Sequence, residues 1–201
     1  MQTNKENLKK HKETIKLHRR EVRKACFKMG IPLQGLLHDL SKYSKEEMAI
    51  ANWYVGTKSP HDIARDELGY SPSWIHHKAK NKHHWEYWTD FNSAKLVDGK
   101  YIIEAVAVKM PYKYVIEMFC DFIGAGKAYL KEKWTTESPL AYWKSNCEGS
   151  RLMHEDSEKL LVELLTIMAN CDKEEDFYKW YKLHRTRFQK IYKEGELNDS
   201  N

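Results

Sequence analysis

Glycine and proline are scarce, nine and five in 201 residues. That scarcity argues against a turn-rich β architecture and for long helices. No run of about 18 apolar residues occurs, so no transmembrane helix is expected. The opening MQTNKENLKKHK leads into no apolar stretch and does not read as a secretory leader. The four cysteines (Cys26, Cys120, Cys147 and Cys171) are widely spaced with no CxxC pair, which excludes a zinc ribbon and a dense disulfide framework. A reducing, cytoplasmic setting with no membrane partner is therefore expected. Internal repeats and low-complexity tracts are also absent.

What is present is globular in character, with 41% hydrophobic and 31% charged residues. The length suffices for one medium domain with a real core. No linker or second core shows in the pattern, so residues 1–201 are expected to form a single all-α domain. Its site would lie within about 10–145, with C-terminal helices of 150–193 packing on it. The formal charge of +5 is uneven, since residues 1–30 carry ten Lys or Arg against three Asp or Glu. A basic first helix suits an anionic substrate or nucleic acid, although a solvated helix face is the commoner origin of such a pattern.

Helical periodicity dominates. Leu8, Ile15, Val22 and Met29 recur every seven residues, and His11, His18 and Ala25 fall between them, drawing one stripe along a helix over 5–29. Gly30 stops it and Pro32 can open the next helix, expected over 32–40. Ser44, with Glu47 three residues on, reads as the capping start of a helix near 45–54. GTKSP at 56–60 reads as a loop. Residues 72–92 are expected as one helix, and Asp98-Gly99 as a turn. Residues 102–109 suit helix or strand, with helix the better fit to the rest. Further helices are expected over 112–131, 138–147, 152–169 and 173–192.

The chemistry centres on LLHDLSKYS at 36–44. His38 and Asp39 put an imidazole nitrogen and a carboxylate oxygen on a packed element, and such donors suit Mn, Fe, Co, Ni, Zn or Mg. On a continuous helix the two would point about 100° apart, so that one serves an ion while the other bridges toward a second. A His-Asp pair alone carries nothing: His61-Asp62 is another, read as lying in a loop.

Two further candidates share apolar faces. His18 lies on the first helix's stripe, where an imidazole needs either a hydrogen-bond partner or a metal. Asp121, in IEMFCDFIGAGKAY, would share a helix face with Tyr114, Met118, Ala125 and Ala128. A metal or a buried salt bridge must answer it, with Glu117 and Lys127 flanking. Gly124 and Gly126 leave room for close approach. Finally, WIHHKAKNKHHWEYW at 74–88 holds four histidines in nine residues, and a continuous helix would place His77 and His84 on one face two turns apart. His77 and His84 are the preferred ligands there, His83 would face substrate, and Asn81 could fix a ligand tautomer.

The 36–42 segment resembles the signature of the HD-domain superfamily of metal-dependent phosphohydrolases, with Leu36, Leu37, His38, Asp39, Leu40, Ser41 and Lys42 at the matching positions. The resemblance implies an HD-like multi-helix bundle, an upstream ligand at His18 and a downstream one at Asp121. Some HD phosphodiesterases hold a second metal through histidines in the interval occupied here by residues 76–84. The chain is also similar, over residues 10–145, to uncharacterised bacterial and phage proteins known as a domain of unknown function. That similarity rests on HDLSKYS, on Asn81 to Trp88, and on Met110 to Asp121. It departs from compact HD enzymes in the longer interval between Asp39 and Asp121, and it lacks the GYP-type signature.

The resemblance implies a hydrolase of a nucleotide or other small phosphoester using one or two divalent ions. His18, His38, Asp39 and Asp121 would hold the first ion and His77 with His84 the second. Lys42 would meet a phosphate oxygen and His83 would protonate the leaving group. Two other classes fit the composition: a non-catalytic metal-binding or nucleic-acid-associated module, given the aromatic and lysine content, and a di-iron oxygenase-type HD protein.

Overall fold

A computed structural model describes residues 5–53, 59–146 and 152–194. Among them are nine α-helices and four three-residue strands, an all-α arrangement. The helices are α1 (Lys5–Lys28), α2 (Pro32–Leu37), α3 (Lys45–Met48), α4 (Pro60–Leu68), α5 (Pro72–Lys80), α6 (Tyr112–Leu130), α7 (Ser138–Asn146), α8 (Glu155–Ala169) and α9 (Glu174–Glu194). Strands β1 (Thr89–Phe91) and β4 (Ala105–Ala107) pair antiparallel, as do β2 (Lys95–Val97) and β3 (Lys100–Ile102). No helix among the described residues is long and apolar enough to cross a membrane.

The described residues gather into two compact units. One comprises residues up to Asn81 together with Cys120–Thr135, and the other comprises Lys82–Phe119 and the residues from Thr136 onward.

In the first unit the heptad stripe of α1 is buried through Ile15, Val22, Ala25 and Cys26, with His11 and His18 on the same face. Gly30 adopts a left-handed φ of 74° just past the helix, a conformation that costs a residue without Cβ little. Pro32 then supplies the fixed φ of a first helical turn. Helix α2 stops at Leu37, not at residue 40, because His38 turns extended and Asp39 takes a left-handed conformation (φ 53°, ψ 30°).

The GTKSP loop also needs correction. Residues 56–58 lie outside the described residues, but Pro60 opens α4, so His61-Asp62 sits on a helix closed by left-handed Gly69. Helix α5 begins with a Ser71 cap whose Oγ accepts from the Trp74 amide at 3.3 Å. It ends at Lys80 and does not continue to residue 92. Asn81 leaves helical space, and both its backbone N–H (3.1 Å) and its side-chain amide (2.8 Å) donate to the His77 carbonyl, satisfying an end that a longer helix would have covered.

The second unit buries Leu160, Leu161, Leu164, Leu165 and Met168 of α8, and Phe177, Tyr181 and Phe188 of α9. The Phe119 and Phe177 rings lie 5.1 Å apart. Both backbone groups of Met110 are satisfied: its N–H donates to Ser157 Oγ at 3.0 Å and its carbonyl accepts from the Tyr192 hydroxyl. Residues 102–109 contain the end of β3 and the whole of β4, and no helix. Asp98 and Gly99 both have positive φ, as a type I′ hairpin turn requires, and the turn commits the flanking residues to strand pairing, with Val97 opposite Lys100 and Ile102 opposite Lys95.

Gly124 of α6 marks the tightest approach in the first unit. A Cβ there would lie 2.3 Å from Val22 Cγ2, 2.9 Å from the Val22 backbone nitrogen and 3.1 Å from the His18 carbonyl oxygen. Alanine normally gains about 0.5–1 kcal/mol over glycine inside a helix. Gly124→Ala is instead expected to cost about 1–3 kcal/mol through overpacking against backbone. Thermal unfolding checks this: the melting temperature should fall by several degrees, and an unchanged or higher value would mean that α1 and α6 can part without cost.

Candidate metal centre

Four donors converge inside the first unit. From α1, His18 places Nε2 3.1 Å from Asp39 Oδ2, 3.2 Å from Asp121 Oδ1 and 3.3 Å from His38 Nε2. His38 Nε2 lies 3.3 Å from Asp39 Oδ2 and 3.3 Å from Asp121 Oδ1. Donors about 2.0–2.2 Å from one ion stand about 3–3.5 Å from each other in octahedral or tetrahedral geometry, and these separations fall in that range. His18, His38 and Asp39 are buried, and Asp121 is one-fifth exposed. The group is positioned to hold a metal ion. Two imidazoles and two carboxylates form a mixed N/O donor set, which fits a borderline or hard divalent cation.

The backbone break at residues 38–39 makes this possible. The two residues are not neighbours on one helix pointing about 100° apart: the left-handed turn at Asp39 brings its Oδ2 beside His38 Nε2 while its Oδ1 faces His77. A left-handed Asp is uncommon and mildly strained. Here Arg19 braces the turn, its Nε donating to the His38 carbonyl at 2.8 Å and its Nη2 to the Leu36 carbonyl at 3.3 Å.

Charge is balanced locally. Burial would raise Asp39, but His38, Lys42, His77 and the His18 hydrogen bond outweigh it and hold the carboxyl well below the usual range. Asp121 behaves alike, with burial opposed by the hydrogen bonds and charges of His18 and His38. Lys42 Nζ sits 2.7 Å from Asp39 Oδ2. Burial works against its ammonium, yet Asp39 and Asp121 hold its pKa above the ordinary lysine value.

His77 extends the cluster. Its Nε2 is 3.3 Å from the other carboxylate oxygen of Asp39, Oδ1. Its Nδ1 lies 2.7 Å from Glu47 Oε2, while His76 Nδ1 lies 2.8 Å from Glu47 Oε1. Glu47 is almost fully buried. Its desolvation is outweighed by His77 first, then by hydrogen bonds from Ser41 and His76, which keep the carboxyl lowered and ionised. His77 thus stands between two ionised carboxylates, and as a metal ligand through Nε2 it would keep its hydrogen on Nδ1, donated to Glu47.

Asn81 reaches the same ring nitrogen as Glu47, its Nδ2 lying 3.0 Å from His77 Nδ1, as expected from its sequence position. The same amide nitrogen is 2.7 Å from Ser41 Oγ and 2.8 Å from the His77 carbonyl. The sequence hid Glu47 because the Ser44 capping pattern already explained it. Ser44 Oγ does accept from the Glu47 amide at 3.2 Å, but the side chain serves the histidines.

The continuous helix expected to carry both His77 and His84 does not form, because α5 ends between them at Lys80. His83 and His84 belong to the second unit, with ring centroids 4.2 Å apart and His83 Nδ1 3.2 Å from Glu117 Oε1. His184, also on an apolar face, is a packing histidine: its ring stacks on Trp180 at 4.4 Å and its Nδ1 bonds the Trp180 carbonyl.

Residues 7–167 match the model of a protein family described as a family of unknown function (DUF5662). No curated protein and no solved structure matches the chain.

Two outcomes follow from this geometry. A ligand imidazole must shed its proton to bind, so metal affinity measured by calorimetry should fall as the solution is acidified. Asp39 and Asp121, being depressed, lend stability above the unfolded carboxylate value and lose it only as pH falls through their lower folded values. They should therefore not set the upper part of the profile, and an affinity flat down to about pH 4.5 would contradict the histidine ligation. Second, Glu47→Gln removes the charge that fixes His77 and should weaken metal binding about 10–100-fold. Equal affinity in the variant would mean that His77 takes no part.

Proposed function

We propose that this chain, which belongs to the family of unknown function DUF5662, is a metal-dependent phosphohydrolase acting on a nucleotide or another small phosphoester. The observation that carries the reading is the convergence of His18, His38, Asp39 and Asp121 at 3.1–3.3 Å with a lysine ammonium beside them. It takes LLHDLSK as an HD-type signature, with His18 and Asp121 as the ligands supplied by other helices.

His18, His38, Asp39 and Asp121 would hold the divalent ion, which would supply Lewis acidity and a water acidic enough to serve as nucleophile near neutral pH. The protein's own groups do the rest. Asp39 and Asp121 stay ionised and keep the donor set anionic. Lys42 stays protonated and, held against Asp39, offers its remaining N–H donors to a phosphate oxygen. Glu47 holds His77 with Nε2 toward Asp39 Oδ1, so that His77 and Asp39 would be residues able to hold a second ion.

The test is hydrolysis of bis-p-nitrophenyl phosphate and of nucleotides by protein loaded in turn with Mn, Fe, Co, Ni, Zn and Mg. Activity should require metal. Asp121→Ala should lose about a thousandfold or more, the worth of several kcal/mol of transition-state stabilisation. Protein that binds metal stoichiometrically but hydrolyses no phosphoester would reduce the centre to a non-catalytic metal site. A visible charge-transfer band in the iron-loaded protein would move it to oxygen chemistry.

A further inference from the structure

In the second unit the chain from Thr89 to Ala107 folds back on itself as a hairpin, with β1 and β4 at its base and β2 and β3 at its turn. From Asp90 to Val108 only Asn92 and Ala107 are even partly buried, and every other residue is exposed. Two strands alone are marginal in water, because they bury too little apolar surface. This pair nevertheless displays large apolar side chains: Phe91 is 67% exposed, Leu96 64%, Tyr101 78% and Ile103 60%.

Register decides which of them share a face. Leu96 lies opposite Tyr101, and Phe91 opposite Ala105. The two-residue alternation of the return strand puts Tyr101, Ile103 and Ala105 on one side. On the outgoing strand Ser93 and Ala94 together stand against Ile103, since Lys95 pairs with Ile102 and the Asn92 amide donates to the Glu104 carbonyl at 3.0 Å. Two residues against one is the count of a β-bulge, which takes up the extra residue and keeps Phe91 and Leu96 on the same side. The charged strand residues Asp90, Lys95, Lys100 and Glu104 all fall on the other side. One face is thus uncharged and the other carries the charge, as in an antiparallel sheet with one covered face.

At about 200 Å² for a large side chain, the four exposures leave on the order of 500 Å² of apolar surface on that face. A contiguous patch of this size marks a contact site. A dimer interface of standard size covers about 800 Å² on each partner, and the four side chains with Ala105 and the flanking backbone supply most of it. The charges favour a second copy as the occupant. Lys95 and Lys100 lie toward the turn, and Asp90 and Glu104 toward the base. Two hairpins related by a twofold axis and running in opposite directions lay turn over base, so that the lysines of each flank the carboxylates of the other.

We propose that the uncharged hairpin face packs on the same face of a second copy of this chain, making a twofold dimer through Phe91, Leu96, Tyr101 and Ile103. The inference is independent of the metal centre and of phosphoester chemistry.

The test is sedimentation velocity of the full chain over about 1–100 μM, the range in which an interface of this size holds two proteins together. The wild type is expected to be dimeric at the upper end. Tyr101→Lys combined with Ile103→Lys sets two cations in the contact and should weaken the dimer at least about a hundredfold, as loss of central contact residues does. Ile102→Lys, on the charged face, should leave it within about threefold of wild type. Hydrogen exchange of the wild type needs no variant: amides of residues 91–105 should exchange more slowly at high than at low protein concentration. A wild type that stays monomeric at about 100 μM would overturn the proposal, whether or not another part of the chain covers the face. A dimer of undiminished affinity in the double variant, or exchange of 91–105 that does not depend on concentration, would put the contact elsewhere and overturn it too. Equal weakening by Ile102→Lys would move the contact to the charged face and would likewise contradict it.

Discussion

Two carboxylates, Asp39 and Asp121, lie in protein interior against the same two imidazole nitrogens, and the rest of the first unit is arranged to tolerate this. Isolated, either ionised group would cost several kcal/mol to bury. His18 and His38 lie within 3.3 Å of both, and Lys42 within 2.7 Å of one. The resulting charge is compact and directional. These four atoms are positioned so that one divalent cation could meet all of them at once.

The backbone is shaped to that end. A His-Asp pair on an uninterrupted helix would diverge. The chain instead ends α2 one residue earlier, turns Asp39 left-handed and ties the exposed carbonyls of Leu36 and His38 to Arg19. Opposite, Gly124 lets α6 approach the α1 backbone at His18 and Val22, and thereby brings Asp121, three residues earlier on α6, to His18. Strain and close packing are thus concentrated where the donors meet, as expected for sites held in one geometry by their surroundings.

Much of this was legible from residue pattern. The seven-residue stripe placed His18 on the buried face of α1, and Pro32, Ser71-Pro72 and Gly30 marked real helix ends. What escaped notice has identifiable causes. Pro60 signalled a helix start, but GTKSP read as a loop and hid α4 and His61 with it. Asn81 does meet the His77 ring, as its position suggests, but it also caps α5, so the helix ends before His83 and His84. Glu47 had a sufficient local explanation in the Ser44 cap, and only the fold brings α3 against α5. The apolar residues 102–109 carry no period that separates helix from exposed hairpin, so the Asp98-Gly99 turn was the better guide. No local signal tells which distant imidazole a carboxylate will meet, because that depends on helix packing.

The most direct measurement is anomalous X-ray scattering from crystals of the metal-loaded protein, recorded on both sides of the metal's absorption edge. A peak is expected within bonding distance of His18 Nε2, His38 Nε2, Asp39 Oδ2 and Asp121 Oδ1 together. Full metal occupancy elsewhere, with these four atoms joined only to each other and to Lys42, would contradict the account.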